Sequence, residues 1–169
     1  LAPHASHTSG RDVDLAFYVS RDGAPVDGPA MRYVAPDGRV AGTDLRFDAP
    51  RNWALVRAFL EDPQASPQWI FCAAHVRALL LDEARRDPAD PTLIAKAERV
   101  LAQPGDSSPH DDHFHVRVYC GIAERLQGCL DAPPWHPWAP RWEAALATWL
   151  DALVPFLESP REPETREAI

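Results

Sequence analysis

Apolar and polar residues alternate over residues 13–20, with Val13, Leu15, Phe17 and Val19 on one side and Asp14, Ala16, Tyr18 and Ser20 on the other. Successive side chains of a strand point to opposite faces, so this segment predicts a strand packed on one face, with Asp12 and Asp14 sharing the other. Arg21-Asp22-Gly23 reads as a turn. Residues 31–34, the turn Pro36-Asp37-Gly38-Arg39 and residues 40–47 extend the pattern into an antiparallel meander. From Asp48 the period changes: Trp53, Val56, Phe59 and Leu60 recur at helical spacing and predict a helix ending near Asp62. Pro63 to Pro67 breaks it, and the apolar run 68–72 predicts a central strand. Residues 74–86 return to helical spacing, with His75 at their start as a capping or surface residue. A further helix is expected over 92–102, with Asp90 as N-cap and Pro91 at its first position.

The second alternating segment is His113-Phe114-His115-Val116-Arg117-Val118, which puts His113, His115 and Arg117 on one face and Phe114, Val116 and Val118 on the other. Residues 131–140 are too rich in proline for regular structure; Trp135 and Trp138 there either line a groove or cover the core. Residues 141–158 carry the longest helical pattern, with Trp142, Leu146, Trp149, Leu150, Leu153 and Phe156 on one broad face. Residues 159–169 read as a polar tail. The elements predict an α+β protein, a small central antiparallel sheet flanked by helices, in a single domain over residues 1–158.

Composition narrows the function more than the fold. A chain of 169 residues with 46% hydrophobic content suffices for one domain with its own core. The formal net charge of -8, without a basic tail or Arg-rich face, disfavours nucleic acid and anionic membrane as partners. No apolar run reaches the length that membrane insertion requires. The chain starts at Leu1 and reads as a processed or trimmed fragment, so its start says nothing about export. Of three cysteines, Cys120 and Cys129 are close enough to close a small loop, and a disulfide between them suits an oxidising compartment. Three free thiols in a reducing compartment are the alternative. Cys72 is left odd.

Three of the seven histidines lie in Pro109-His110-Asp111-Asp112-His113-Phe114-His115. Two imidazoles on one strand face can reach a single borderline metal ion, and a third ligand is then needed. The stretch His4-Ala5-Ser6-His7-Thr8-Ser9-Gly10-Arg11-Asp12-Val13-Asp14 offers an imidazole and a carboxylate at the start of a strand. Zinc bound by His7, Asp14 and His115 keeps one position for water and so points to hydrolysis. His113, on the face of His115, is then the expected general base, and His110 a hydrogen-bond partner of the water or the reacting oxygen. Asp12 and Asp112 are either carboxylates that fix a ring tautomer or ordinary turn and surface residues. Gly10 is expected to permit a turn that brings His7 over the strand carrying Asp14. The bland alternative is a set of surface and core-edge histidines.

Three segments in this order, Ser6-His7-Thr8-Ser9-Gly10-Arg11-Asp12-Val13-Asp14, Phe47-Asp48-Ala49-Pro50-Arg51-Asn52-Trp53-Ala54-Leu55-Val56 and Pro109-His110-Asp111-Asp112-His113-Phe114-His115-Val116-Arg117, resemble the penicillin-insensitive murein endopeptidases. That family belongs with the lysostaphin-type enzymes, the D-Ala-D-Ala peptidases and the hedgehog N-terminal domain. The resemblance implies a hedgehog/D,D-peptidase-like zinc peptidase fold with His7, Asp14 and His115 as Zn2+ ligands, His113 as base, and His4 and His110 as further histidines around the site. It also implies a periplasmic or secreted location and, as substrate, the D-alanyl to meso-diaminopimelyl cross-link between peptidoglycan stem peptides. A D,D-carboxypeptidase or another cell-wall amidase, and a non-catalytic zinc-stabilised binding module, are the competing functions.

Overall fold

The computed structural model describes residues 10–27, 31–87, 91–105 and 107–158. His4, His7, the expected N-cap Asp90 and the tail 159–169 lie outside these residues. In chain order the elements are β1 (Asp12–Ala16), β2 (Val19–Arg21), β3 (Ala24–Val26), β4 (Arg46–Phe47), α1 (Ala49–Glu61), β5 (Pro67–Phe71), α2 (Ala74–Arg86), α3 (Pro91–Val100), β6 (Leu101–Ala102), β7 (His113–Val118), α4 (Ile122–Leu126) and α5 (Trp142–Glu158).

Two sheets result, a four-stranded one in the order β1-β7-β5-β6 and a three-stranded one in the order β3-β2-β4. The architecture is therefore α+β with helices against the sheets, as the pattern predicts, but the larger sheet is mixed rather than antiparallel. β7 pairs antiparallel with both β1 and β5, whereas β6 runs parallel to β5. A parallel neighbour needs a long crossover, and here α2 and α3 supply it. That is why α3 ends at Val100: Leu101 and Ala102, expected as its last residues, pair instead with Ile70 and Phe71.

The alternating segment 13–20 is also not one strand. Its first half, β1, pairs with β7, its second half, β2, pairs with β3 and β4, and Phe17 and Tyr18 make the switch between sheets. Phe17 fills the junction, edge-on to Phe114 at 4.7 Å and to Phe47 at 5.3 Å. Leu15, Phe17 and Val19 join the core; Val13, expected beside them, is 45% exposed at the edge of the sheet. Residues 31–34 form no strand: Val34 makes one isolated bridge to Val40, and of residues 40–47 only β4 pairs as a strand.

The segment Asp48-Ala49-Pro50-Arg51-Asn52-Trp53 holds this switch in place. The Asp48 carboxylate caps α1 by accepting from Arg51 N at 3.1 Å, and Pro50 sits in the first turn, where no backbone donor is lost. Asn52, fully buried, accepts from Tyr18 N at 3.0 Å and donates to Tyr18 O and Asp48 O, each at 2.8 Å. A backbone leaving one sheet for another has amides that neither ladder satisfies, and Asn52 supplies their partners. Trp53 Nε1 donates to Asp87 at 2.9 Å, tying α1 to the end of α2.

The core lies between the larger sheet and α1, α2 and α3, where Ile70, Phe114 and Val116 meet Val56, Leu60, Val76, Leu80, Ala97 and Val100. α5 is different. Of its predicted apolar face, Trp149 and Leu150 are about half exposed, and among the described elements it touches only α4.

Cys120 and Cys129 form a disulfide with a Cα separation of 6.1 Å. Cys72 is fully buried and free, and burial pushes its thiol up to about 12. An alkylating reagent is therefore expected to leave the native protein unlabelled, to label one thiol in denaturant and to label three after reduction, as counted by mass spectrometry. Asn52→Ala should lower stability by about 2–4 kcal/mol, measured by urea denaturation, because it removes the side chain that pairs with the Tyr18 backbone from a fully buried position.

Candidate active site

The register of β1 on β7 builds the site. Asp14 stands opposite His115 and Asp12 opposite Arg117, so residues about a hundred positions apart become neighbours on one sheet face. On the opposite face Phe114 and Val116 are buried in the core, which holds β7 in this orientation.

His115 is 4% exposed and held from both sides. Its Nε2 lies 2.7 Å from Asp12 Oδ1, which also accepts from Arg117 Nε at 2.7 Å. The Asp12 side chain is fully buried, so its carboxylate fixes the ring with the proton on Nε2. Nδ1 then turns its lone pair toward Asp14 Oδ1, 3.2 Å away. Two electron-rich atoms at that distance are stable together only with a proton or a cation between them. His113 is organised the same way: Nδ1 lies 2.5 Å from Asp112 Oδ1, and Nε2 is directed 3.7 Å from the same Asp14 oxygen. His113 Nε2 is buried and has no hydrogen-bond partner among the described residues.

His110 completes the cluster from the loop before β7. Its ring centroid lies 5.2 Å from that of His113 and 5.7 Å from that of His115. The loop is fixed by its backbone: His110 N donates to Gln103 Oε1 at 2.9 Å, Ala73 N to His110 O at 2.7 Å and Val34 N to Asp111 O at 2.7 Å. Phe71 of β5, opposite His115 in register, forms the floor, 5.6 Å from His115 and 5.9 Å from His110.

Asp14, His110, His113 and His115 are thus brought together, and both Asp12 and Asp112 act on ring nitrogens. His7 and His4 lie outside the described residues; Gly10, which leads from them into β1, has the left-handed φ of +70° expected of a turn. Among the described residues no group of three His, Cys, Asp or Glu side chains is placed to hold a metal ion. What they provide is a pair, Asp14 and His115.

No protein-family model, curated protein or solved structure matches the chain. Asp14 Oδ1 and His115 Nδ1 are hard and borderline donors suited to zinc, and a histidine whose second nitrogen is held by a carboxylate is the usual form of a metal-bound imidazole.

Several residues around the site escaped the sequence pattern. Gln103 and Phe71 carry no local signal, because their roles follow from pairing and loop closure. His75, expected as a cap or surface residue, is half-buried and does not cap α2; its Nε2 donates to Val34 O at 2.7 Å and so braces the segment against which the His110 loop is hydrogen-bonded. His136, between prolines, is buried, with Nε2 donating to Gln68 O at 3.0 Å, and burial pushes its pKa down. The two loop tryptophans divide their expected roles. Trp138 packs on the core and donates to Pro67 O at 2.9 Å, while Trp135 is 55% exposed.

Asp12→Ala removes the acceptor shared by His115 and Arg117 inside the sheet. It is expected to cost about 2–3 kcal/mol in urea denaturation, and Asp12→Asn less, because the amide oxygen still accepts one bond.

Proposed function

We propose that the chain is a zinc-dependent endopeptidase, with a hedgehog/D,D-peptidase-like fold, that hydrolyses D-alanyl to meso-diaminopimelyl cross-links between peptidoglycan stem peptides in the periplasm. The observation that carries this proposal is the convergence of His115 Nδ1 and His113 Nε2 on one Asp14 oxygen, at 3.2 and 3.7 Å. The three motifs that resemble the murein endopeptidases supply the substrate class. The disulfide suits an oxidising compartment, and no helix among the described residues is long and apolar enough to cross a membrane.

Asp14 Oδ1 and His115 Nδ1 are the groups that would hold zinc, with His7 as the third ligand. Bound there, the ion supplies Lewis acidity, polarising the scissile carbonyl and making water acidic enough to attack near neutral pH. Asp12 keeps the His115 proton on Nε2 and its lone pair on Nδ1. Asp112 does the same for His113, leaving Nε2 to take a proton from the attacking water and return it to the leaving amine. His110, beside both rings, is placed to hydrogen-bond the water or the carbonyl oxygen. Phe71 excludes water from one side of the cluster.

Zinc-loaded protein is expected to convert purified cross-linked muropeptide dimers to monomers, to lose that activity with a chelator and to regain it with added zinc. His113→Ala should retain zinc but lose about 100-fold or more in kcat, whereas His115→Ala should lose the metal itself. Absence of monomers from zinc-loaded wild-type protein sinks the proposal. Release of terminal D-alanine without loss of dimer shifts it to a carboxypeptidase.

A further inference from the structure

A groove of about 430 Å³ opens on the face of the Pro-rich loop, lined by Arg125, Trp135, His136, Pro137, Pro140 and Arg141 among others. Its construction is unlike that of a loop that merely covers a core. Trp135 is the largest side chain in it and is more than half exposed, yet its ring is held flat, 6.1 Å from the buried Tyr119 ring at an interplanar angle of 9°. Tyr119 is itself fixed, its hydroxyl donating to Pro134 O at 2.6 Å and accepting from His136 N at 2.9 Å. One indole face is therefore presented to solvent in a set orientation, available for stacking.

The groove is also cationic, against the overall charge of -8. No carboxylate is found among its described lining residues. Of its two arginines, Arg125 pairs with the fully buried Asp131. Arg141 has no acidic partner among the described residues. A ligand matched to this surface needs a flat C–H face for the indole, hydroxyl or amide groups for the rim, and a carboxylate for Arg141. A pyranose ring joined to an acidic peptide has all three.

A line of ring contacts connects the groove to the histidine cluster. From His115 it passes to Phe71 (5.6 Å), to Trp69 (5.3 Å, stacked), to His136 (6.1 Å) and to Trp138 (4.5 Å, stacked), with Trp69 and Phe71 half-buried on the sheet face that carries the site. An extended peptide that follows this line advances about 3.3 Å per residue.

We propose that the Trp135 groove is a subsite for the saccharide end of an acidic glycopeptide, with Trp135 stacking on a pyranose ring and Arg141 holding a carboxylate of the attached peptide. It rests on the peptidase assignment for the identity of the glycopeptide, and it makes the groove the feature that distinguishes glycan-bearing stems from free peptide.

The test titrates the full, zinc-loaded chain with a disaccharide tetrapeptide and with the same tetrapeptide lacking sugar, following tryptophan fluorescence and calorimetry. Wild-type protein should bind the disaccharide form about tenfold tighter, and Trp135→Ala should abolish the difference while Trp135→Phe restores much of it. Arg141→Ala should weaken both ligands and flatten the salt dependence. With cross-linked dimers, Trp135→Ala should raise KM for the glycan-bearing form and leave both kcat and the glycan-free form unchanged. Equal wild-type affinity for the two tetrapeptides, or an unaltered preference in Trp135→Ala, overturns the subsite. The peptidase assignment fails separately: sugar-dependent binding without cleavage leaves the subsite standing, and cleavage without sugar preference leaves the peptidase.

Discussion

The pairing of β1 with β7 is the constraint on which the rest of this protein depends. It sets Asp14 against His115 and Asp12 against Arg117 across a sequence separation of about a hundred residues. Because side chains alternate along a strand, a slip of one residue would send both aspartates to the core face and destroy the cluster. The register is protected by what lies on the other side: Phe114 and Val116 are buried between the sheet and the helices, and Phe17 locks edge-on against Phe114 at the strand end. Hydrophobic packing therefore positions the polar face, although none of the packing residues touches it.

The same packing explains why the chain leaves the larger sheet where it does. A continuous strand over residues 13–20 would keep Val19 in line with Val13, but Phe17 and Phe47 draw the second half into another sheet. The cost is a pair of unsatisfied amide groups at Tyr18, which Asn52 and the first turn of α1 offset. The segment Asp48-Ala49-Pro50-Arg51-Asn52-Trp53 thus has a structural role that needs no contact with the histidines.

Around the histidines, the buried Asp12 and the partly exposed Asp112 orient rings that would otherwise be free to turn. Asp12 fixes His115 and Asp112 fixes His113, so each ring offers the opposite nitrogen toward Asp14. The arrangement is preorganised by hydrogen bonds inside the sheet and its adjoining loop. The aromatic rings that run from Phe71 to Trp138 extend the same face, so the polar cluster sits at one end of an apolar path rather than in an isolated pocket.

Local sequence was enough to determine the elements that one period or one stop signal defines. Asp48 and Pro50 mark the start of α1, Ala74–Arg86 keeps helical spacing throughout, and alternation at 113–118 puts His113 and His115 on one face and Phe114 and Val116 on the other. The spacing of Cys120 and Cys129 likewise marked their disulfide. Only the tertiary structure decided which strand lies beside which. Alternation at 12–16 cannot say that Asp14 faces His115, nor that Leu101 and Ala102 leave a helix to pair with β5, because pairing energy comes from partners far away in sequence. The exposure of Val13 and of the α5 face, the floor made by Phe71 and the outward indole of Trp135 have the same origin. A residue's type sets what it can do, but the neighbours that make it do so arrive only when the chain closes.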